Sequence, residues 1–308
     1  MLMSLIIGVD TGNRCIKTAN HVFVSGVKKS NVEMPFQQGV LKFNDNYYML
    51  SQERVIYLQD KTESEEYFVL ALYAIAKELE TRGIATDNVI PISLGLGLPP
   101  SHLPRLKDKF KKYFNRGQVS FIYNKKLIQI DIQDVSVFSQ GYAAIFMDYE
   151  QISKFNKSYI VDIGGYTTDV ISLTHGRIDP DFCESLDMGL IQLYNRLTRQ
   201  IHKKYGRSPS ESQIDEMISE GREILPDYQL MSIVNFETNA YITELMRKLS
   251  EYGIDLKFSK GIFVGGGAER FKNWIEKSEY VSEPYFITNV HANAQGYEAF
   301  LNSLNNQG

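Results

Sequence analysis

The feature that most constrains this fold is a short pattern that occurs twice, once near the N-terminus and once in the middle of the chain. Each copy is an apolar run that ends in an aspartate and passes into a glycine turn. The copies are residues 7–12 and 160–165. Hydroxyl residues and a second apolar run follow each turn. A repeated strand, aspartate and glycine turn favours a chain built from two halves of similar architecture.

Glycine turns of this kind suit an anion, because glycine lets the backbone approach closely and its N–H groups converge on one point. An aspartate at the end of the strand can hold Mg²⁺, usually through water, since magnesium gives up its hydration shell reluctantly. Two such turns across a cleft would hold a phosphate chain from both sides. One copy alone is weak evidence, because this combination is common in ordinary turns. The repetition is what favours a phosphate site.

The length of 308 residues also favours two domains, because a single hydrophobic core seldom serves a chain of this size. The pattern of strands begins again after a connector at residues 148–157. We therefore expect a first domain over residues 1–147 and a second over residues 148–290. The tail, residues 291–308, is expected to return to the first domain as a helix.

Composition excludes several classes of protein. The formal net charge of −4 gives no electrostatic reason to expect direct nucleic-acid binding. No apolar stretch approaches the length of a membrane span, and the residues before Gly8 lack a basic leader, so we expect a cytoplasmic protein without membrane contact. Cys15 and Cys183 are expected to be reduced thiols. The histidines lack the spacing of zinc ligands.

Strands and helices alternate along both halves of the chain. Helical periodicity occurs at residues 65–79, 103–114, 190–201 and 230–249, and a short helix is expected at residues 139–147. Strand-like runs occupy residues 5–9, 89–94, 127–132, 159–161, 168–173 and 261–264. This mixture favours an α/β fold with mixed sheets.

A third glycine cluster, Gly265, Gly266 and Gly267, lies between a strand-like run and a helical pattern. A turn before a helix suits phosphate, because the first N–H groups of the helix are unpaired, although three glycines often form only a loop. The chain contains no GxxxxGK[ST] motif, which excludes a P-loop. Arg270 stands where the dinucleotide fingerprint requires glycine or alanine, which disfavours a Rossmann site.

In their order along the chain, these motifs resemble the phosphate 1, connect 1, phosphate 2, adenosine and connect 2 motifs of the actin superfamily. The segments that carry the resemblance are residues 10–17, 139–141, 162–169, 265–267 and 294–297. Residues 95–99 and 293–297 look closest to the ParM-like plasmid-segregation actins of Gram-positive bacteria. The resemblance implies an actin-like (ribonuclease H-like) ATPase fold, with two similar mixed-sheet domains around a nucleotide cleft.

The resemblance also implies roles for individual residues. Asp10 and Asp162 would hold Mg²⁺ through its water shell and act in catalysis with Gln140, which would orient the attacking water. The expected contacts with ATP are made by Thr11, Gly12, Asn13, Lys17, Gly164, Gly165, Thr167, Gly189, Glu216, Gly265, Gly266 and Gly267.

Several of these assignments have plain alternatives. Lys17 would neutralise charge on the β-phosphate, and the less favoured alternative is a solvated lysine on a strand. Gln140 could be only a neighbour of a helix N-cap. Gly189 and Glu216 match positions near the ribose and base loosely, because the segment between them is short and divergent.

The resemblance implies an ATPase that polymerises into filaments with Mg-ATP and hydrolyses the nucleotide, for plasmid DNA segregation. Self-association and a DNA-bound adaptor protein are the partners that it implies. A metabolite or sugar kinase of the same superfamily remains an alternative, although such enzymes are usually longer and need a general base for the acceptor hydroxyl. A nucleotide-binding scaffold that does not polymerise is the alternative from another class.

Overall fold

The computed structural model describes residues 4–33, 38–219 and 227–305. The chain divides into two compact units. Unit 1 comprises Met1–Met147 with Val290–Gly308, and unit 2 comprises Asp148–Asn289. Each unit has its own sheet and its own hydrophobic core.

Unit 1 contains most of the strands in the described residues. Its strands are β1 (Leu5–Thr11), β2 (Cys15–Lys17), β3 (Val22–Val24), β4 (Val27–Ser30), β5 (Leu41–Phe43), β6 (Asn46–Leu50), β7 (Ile90–Leu98), β8 (Gly117–Tyr123) and β9 (Lys126–Ser139). Its α-helices are α1 (Glu66–Thr81), α2 (Leu103–Phe114) and, from the tail, α8 (Ala292–Asn305). Short 3₁₀ helices occupy Lys61–Glu63 and Ala143–Asp148.

Unit 2 begins with a single helical turn and alternates strands with longer helices. Its strands are β10 (Lys157–Ile163), β11 (Thr168–Thr174), β12 (Arg177–Leu186), β13 (Lys260–Val264) and β14 (Tyr285–Ile287). Its helices are α3 (Tyr149–Ile152), α4 (Leu190–Tyr205), α5 (Glu211–Ser219), α6 (Tyr228–Glu251) and α7 (Gly265–Glu276).

The two sheets share one topology. In the described residues the first sheet has the strand order β3-β2-β1-β7-β9-β8-β5-β6-β4, and the second has the order β12-β11-β10-β13-β14. In each, a strand pairs antiparallel with its successor and parallel with a later strand, β1 with β7 and β10 with β13. The five strands β3-β2-β1-β7-β9 therefore correspond to the whole second sheet. This confirms the predicted α/β fold with two similar mixed sheets.

Helix α1 carries a fully buried carboxylate, Glu78, in the core of unit 1. Glu78 accepts hydrogen bonds from the Thr18 hydroxyl, from the Asn20 N–H at 3.0 Å and Nδ2 at 2.9 Å, and from Arg82 Nε at 2.6 Å. Burial alone raises the pKa of Glu78, but these hydrogen bonds outweigh burial and lower it. Arg82 also pairs with Glu298 of α8 at 2.6 Å. This network joins α1, the turn after β2, and α8.

Helix α8 packs directly on β1 and β7, because glycines on those strands leave room for it. A Cβ atom at Gly8 would overlap the Ala294 carbonyl, and one at Gly97 would overlap the Tyr297 side chain. Real Cβ atoms do not approach so closely, so both positions need glycine. The glycine pattern at residues 95–99 is therefore explained by close helix packing.

The structure corrects two predicted elements. The strand expected at residues 127–132 continues to Ser139, because residues 130–139 of β9 pair with β7. The helix expected at residues 139–147 is wrong over its first half, and only the 3₁₀ helix Ala143–Asp148 forms there. Within the residues that the structure describes, no helix is long and apolar enough to cross a membrane.

Candidate functional site

The first glycine turn follows β1, whose last residues are Asp10 and Thr11. Asp10 is directly opposite Lys17 on β2 and is 2% exposed. Its carboxylate accepts hydrogen bonds from Lys17 Nζ at 3.2 Å and from Gln140 Nε2 at 2.8 Å. The structure thus brings together three of the predicted residues, although Gln140 lies 130 positions from Asp10 in the sequence.

Backbone hydrogen bonds at Gln140 and at the next residue fix the position of the Gln140 side chain. Its N–H donates to the Leu98 carbonyl at 2.9 Å, at the end of β7. The next residue, Gly141, has a φ of 74°, a conformation that favours glycine. The Gly141 N–H donates to Asn293 Oδ1 of α8 at 2.9 Å. The Gln140 side chain therefore bonds the buried aspartate instead of packing at a helix end.

The turn itself is compact, and its Thr11 hydroxyl is buried. A Cβ atom at Gly12 would lie 2.7 Å from the Cys15 carbonyl oxygen, so the hairpin needs glycine there. Asn13 Oδ1 accepts a hydrogen bond from the Tyr67 hydroxyl at 3.1 Å. Thr11 Oγ1 is buried and has no hydrogen-bond partner among the described residues. Because an unpaired buried hydroxyl is costly, Thr11 is a candidate to bind a ligand.

Two further side chains hold the carbonyl groups of this turn. Ser25, a buried residue after β3, donates through Oγ to the Gly12 carbonyl at 2.5 Å. Lys61 Nζ donates to the Thr11 carbonyl. Neither residue was predicted for the site, because neither belongs to a motif and each is brought to the turn by the tertiary fold.

The second glycine turn follows β10 and contains a pair of buried carboxylates. Asp162 on β10 lies directly opposite Asp169 on β11, and the two residues are 8% and 6% exposed. Ser185 Oγ donates to Asp169 Oδ1 at 2.5 Å, and Thr167 Oγ1 donates to Asp169 Oδ2 at 3.4 Å. Like charges opposite each other destabilise a sheet, so a bound cation would stabilise this pair.

The carbonyl groups of the second turn are held by the first N–H groups of α4. The Leu190 N–H donates to the Gly164 carbonyl at 3.1 Å, and the Ile191 N–H donates to the Gly165 carbonyl at 3.0 Å. Helix N-termini have unpaired N–H groups, and these two are satisfied by the turn. Gly164 and Gly165 are therefore placed by α4.

Gly189 precedes α4 and packs against the second turn. A Cβ atom at Gly189 would overlap the backbone of Gly165 and Tyr166, so only glycine permits this approach. The Gly189 carbonyl accepts a hydrogen bond from the Tyr241 hydroxyl at 2.9 Å. Burial raises the pKa of Tyr241, which keeps this hydroxyl protonated as a donor. The structure thus gives Gly189 a packing role beside the turn; its predicted place near the ribose stays a prediction.

The third glycine cluster is the first turn of α7, which corrects the expectation of a separate turn before the helix. Gly265 has a φ of 86°. A Cβ atom there would overlap the Asp162 carboxylate, and one at Gly267 would overlap the Ile163 side chain. The N-terminus of α7 is therefore adjacent to the second aspartate. The first N–H groups of a helix have no partner within the helix, so this end favours a negative charge.

Glu216 lies on α5 with an exposed side chain. Its neighbour Asp215 is the residue that reaches α7, where its Oδ1 accepts a hydrogen bond from Arg270 Nε at 2.6 Å. Arg270 Nη1 also donates to the Gly266 carbonyl at 2.9 Å. Asp215 was not predicted, because a single acidic residue on a divergent helix carries no motif.

These residues fit Mg²⁺ held through water better than a metal held directly by side chains. Among the described residues, no group of three histidine, cysteine, aspartate or glutamate side chains is placed to hold a metal ion. Mg²⁺ usually keeps several water ligands and binds one or two carboxylates plus substrate phosphates. Asp10 in unit 1 and Asp162 in unit 2 are each buried at the end of a strand beside a glycine turn, and each by itself is a carboxylate of the kind that such a site uses.

Comparisons with known proteins agree with this architecture. The family model "Actin like proteins N terminal domain" matches residues 8–142, and the model "Archaeal actin homologue MreB-like, C-terminal" matches residues 160–277. Between them they include both glycine turns. No curated protein matches the sequence.

Solved structures of actin-like proteins have the same fold. The archaeal actin homologue Ta0583 has a TM-score of 0.77 at 17% identity, over 97% of this chain and 99% of that one. The ParM filament from Clostridium botulinum has a TM-score of 0.77 at 19% identity, over 98% and 100%. The apo pSK41 ParM has a TM-score of 0.71 at 16% identity, over 98% of each. With two actin-type family models matched in order and this fold along its length, the chain belongs to the actin superfamily and is ParM-like in structure.

Proposed function

We propose that this protein binds Mg-ATP, assembles into filaments and hydrolyses the nucleotide, with hydrolysis after assembly weakening the polymer. The observation that carries the proposal is the buried Asp10 carboxylate at the end of β1, next to a glycine turn and held by Lys17 and Gln140. A carboxylate, a lysine and a glutamine beside backbone N–H groups suit phosphoryl transfer, which depends mainly on positioning and electrostatics.

Each unit contributes part of the chemistry in this proposal. The turn after β1 binds phosphate through its N–H groups and the unpaired Thr11 hydroxyl. Gln140 orients the attacking water, and Lys17 neutralises phosphate charge. In unit 2 the second turn and the N-terminus of α7 supply N–H groups for phosphate, and Asp162 supplies a carboxylate for the water shell of Mg²⁺. Mg²⁺ supplies charge neutralisation of the phosphates.

Other actin-like proteins support nucleotide binding and self-association. Ta0583 has been solved in complex with ADP, with a TM-score of 0.73 to this chain at 20% identity. Filament structures exist for the Clostridium botulinum ParM and for Alp12. The resemblance to plasmid-segregation actins extends the proposal to plasmid DNA segregation, through an adaptor protein that binds the DNA.

The test is right-angle light scattering and phosphate release on the same sample at micromolar protein. We expect scattering to rise on addition of Mg-ATP and phosphate release to follow it. EDTA is the control for magnesium. Flat scattering over a wide range of protein concentration would contradict filament assembly, even with phosphate release present. Nucleotide binding without phosphate release would favour the scaffold, and release that requires an added acceptor would favour the kinase.

A further inference from the structure

Lys61 is a buried lysine at the first glycine turn. It begins the 3₁₀ helix Lys61–Glu63 and is 7% exposed. The preceding residue, Asp60, caps this helix by accepting a hydrogen bond from the Thr62 N–H at 3.0 Å. Asp60 is fixed in turn by Lys109 of α2, whose Nζ lies 2.5 Å from Asp60 Oδ2. The position of Lys61 is therefore set by two elements outside the turn.

The Lys61 amine contacts the turn from the side of its carbonyl groups. Nζ donates to the Thr11 carbonyl and lies 5.4 Å from the centre of the Tyr67 ring. The Tyr67 hydroxyl donates to Asn13 Oδ1 at 3.1 Å. The amine and the aromatic ring thus pack together against the turn, in an arrangement that stabilises a positive charge.

The contact between Lys61 and the Thr11 carbonyl also orients the N–H of the same peptide group. In a trans peptide the carbonyl oxygen and the amide hydrogen point in opposite directions. The Thr11 carbonyl belongs to the same peptide as the Gly12 N–H, and the Gly12 carbonyl belongs to the same peptide as the Asn13 N–H. Lys61 holds the first carbonyl and Ser25 holds the second. The Gly12 N–H therefore points away from Lys61, and the Asn13 N–H points away from Ser25. Successive backbone N–H groups are the donors from which anion-binding nests are built.

We propose that Lys61 is a positioning residue for nucleotide phosphate: by holding the Thr11 carbonyl it aims and polarises the Gly12 N–H toward the anion. The inference rests on the proposed nucleotide binding, and it identifies a residue outside the motifs of that site. A charged donor on a carbonyl strengthens the N–H of the same peptide, because hydrogen bonds in series polarise one another. Ser25 holds the Gly12 carbonyl in the same way, through a neutral hydroxyl, and so polarises the Asn13 N–H.

The experiment compares Mg-ATP and adenosine binding to the full chain and its variants, by calorimetry for Mg-ATP and ligand-observed NMR for adenosine. We expect Lys61→Met to weaken Mg-ATP binding by about 10-fold or more, the scale of one charge-assisted hydrogen bond. Adenosine binding should not change, because adenosine carries no phosphate for the nest. Lys112→Met, the same substitution at an exposed lysine of α2, is the matched control and should bind both ligands like the wild type.

Ser25→Ala tests the same mechanism should Lys61→Met fail to fold. We expect it to weaken Mg-ATP binding by about 5-fold, the scale of one neutral hydrogen bond, with adenosine binding unchanged. Equal losses for both ligands would show a general disturbance of the fold and overturn the inference. A folded Lys61→Met protein that binds Mg-ATP like the wild type would also overturn it, as would a Ser25→Ala protein that does so should Lys61→Met fail to fold. Wild-type protein that binds no Mg-ATP would instead contradict the proposed function itself.

Discussion

Replacing Gln140 by glutamate tests the contact between the residue that follows β9 and the Asp10 carboxylate at the end of β1. Gln140 Nε2 lies 2.8 Å from Asp10 Oδ1, and Asp10 is 2% exposed. In Gln140→Glu a second carboxylate would face the first. Two like charges about 4 Å apart repel by about 4 kcal/mol at an effective dielectric constant of about 20. Lys17, at 3.2 Å from the other oxygen, offsets part of this repulsion.

The repulsion makes the stability of the variant depend on pH. The introduced carboxyl keeps its proton in the folded state, so its pKa is raised above the value in the unfolded chain. A group with a raised pKa stabilises the folded state at low pH, and that stability is lost as the pH rises. We expect Gln140→Glu to lose about 2–3 kcal/mol between pH 5 and pH 8. In a protein of this size that is a fall in Tm of about 5–10 °C.

The assay is thermal unfolding by circular dichroism at pH 5, 6, 7 and 8 without nucleotide. Gln140→Met is the matched control, because it removes the hydrogen bond without adding a charge. The difference in Tm between the two variants should widen as the pH rises from 5 and level off once the pH passes the folded-state pKa of the introduced carboxyl. A difference that stays constant from pH 5 to pH 8 would show that residue 140 does not face Asp10, and the assignment of Gln140 to the site would be wrong.

Two further substitutions test other parts of the molecule. Asp162→Ala should lower phosphate release by about 10²–10³-fold, the scale of losing one electrostatic group in a phosphoryl site; unchanged turnover would remove Asp162 from the mechanism. Glu78→Gln should cost about 3 kcal/mol in urea unfolding at pH 7, because it leaves buried donors, including Arg82, without a carboxylate. The pKa of Glu78 is lowered by folding, so this cost should shrink as the pH falls below 4.5, the ordinary value. A cost that does not depend on pH would show that the charge of Glu78 is not what stabilises the fold.

The sequence predicts the two halves well because their features are local. A strand that ends in an aspartate and a glycine turn is specified by a few adjacent residues, and it occurs at both Asp10 and Asp162. The helical periods of α1, α2, α4 and α6 are also local and match the structure closely. The sequence analysis does not identify strands β4 and β8, which are stabilised by pairing with β6 and β9.

The same distinction, between features specified by adjacent residues and features that depend on tertiary packing, applies to the site residues. Motif positions such as Lys17 follow Asp10 at a fixed spacing along one hairpin, so the sequence places them together. Lys61, Ser25 and Asp215 belong to no motif, and packing of distant segments brings them to the glycine turns.

By itself, then, the sequence determined a duplicated α/β architecture and the residues of its glycine turns, because backbone conformation and hydrophobic period depend on neighbours in the chain. The tertiary structure alone decided that Gln140 bonds Asp10, that Gly189 packs on the second turn, and that the third glycine cluster begins α7. Such contacts depend on which surfaces pack together, and no spacing between residues encodes that directly.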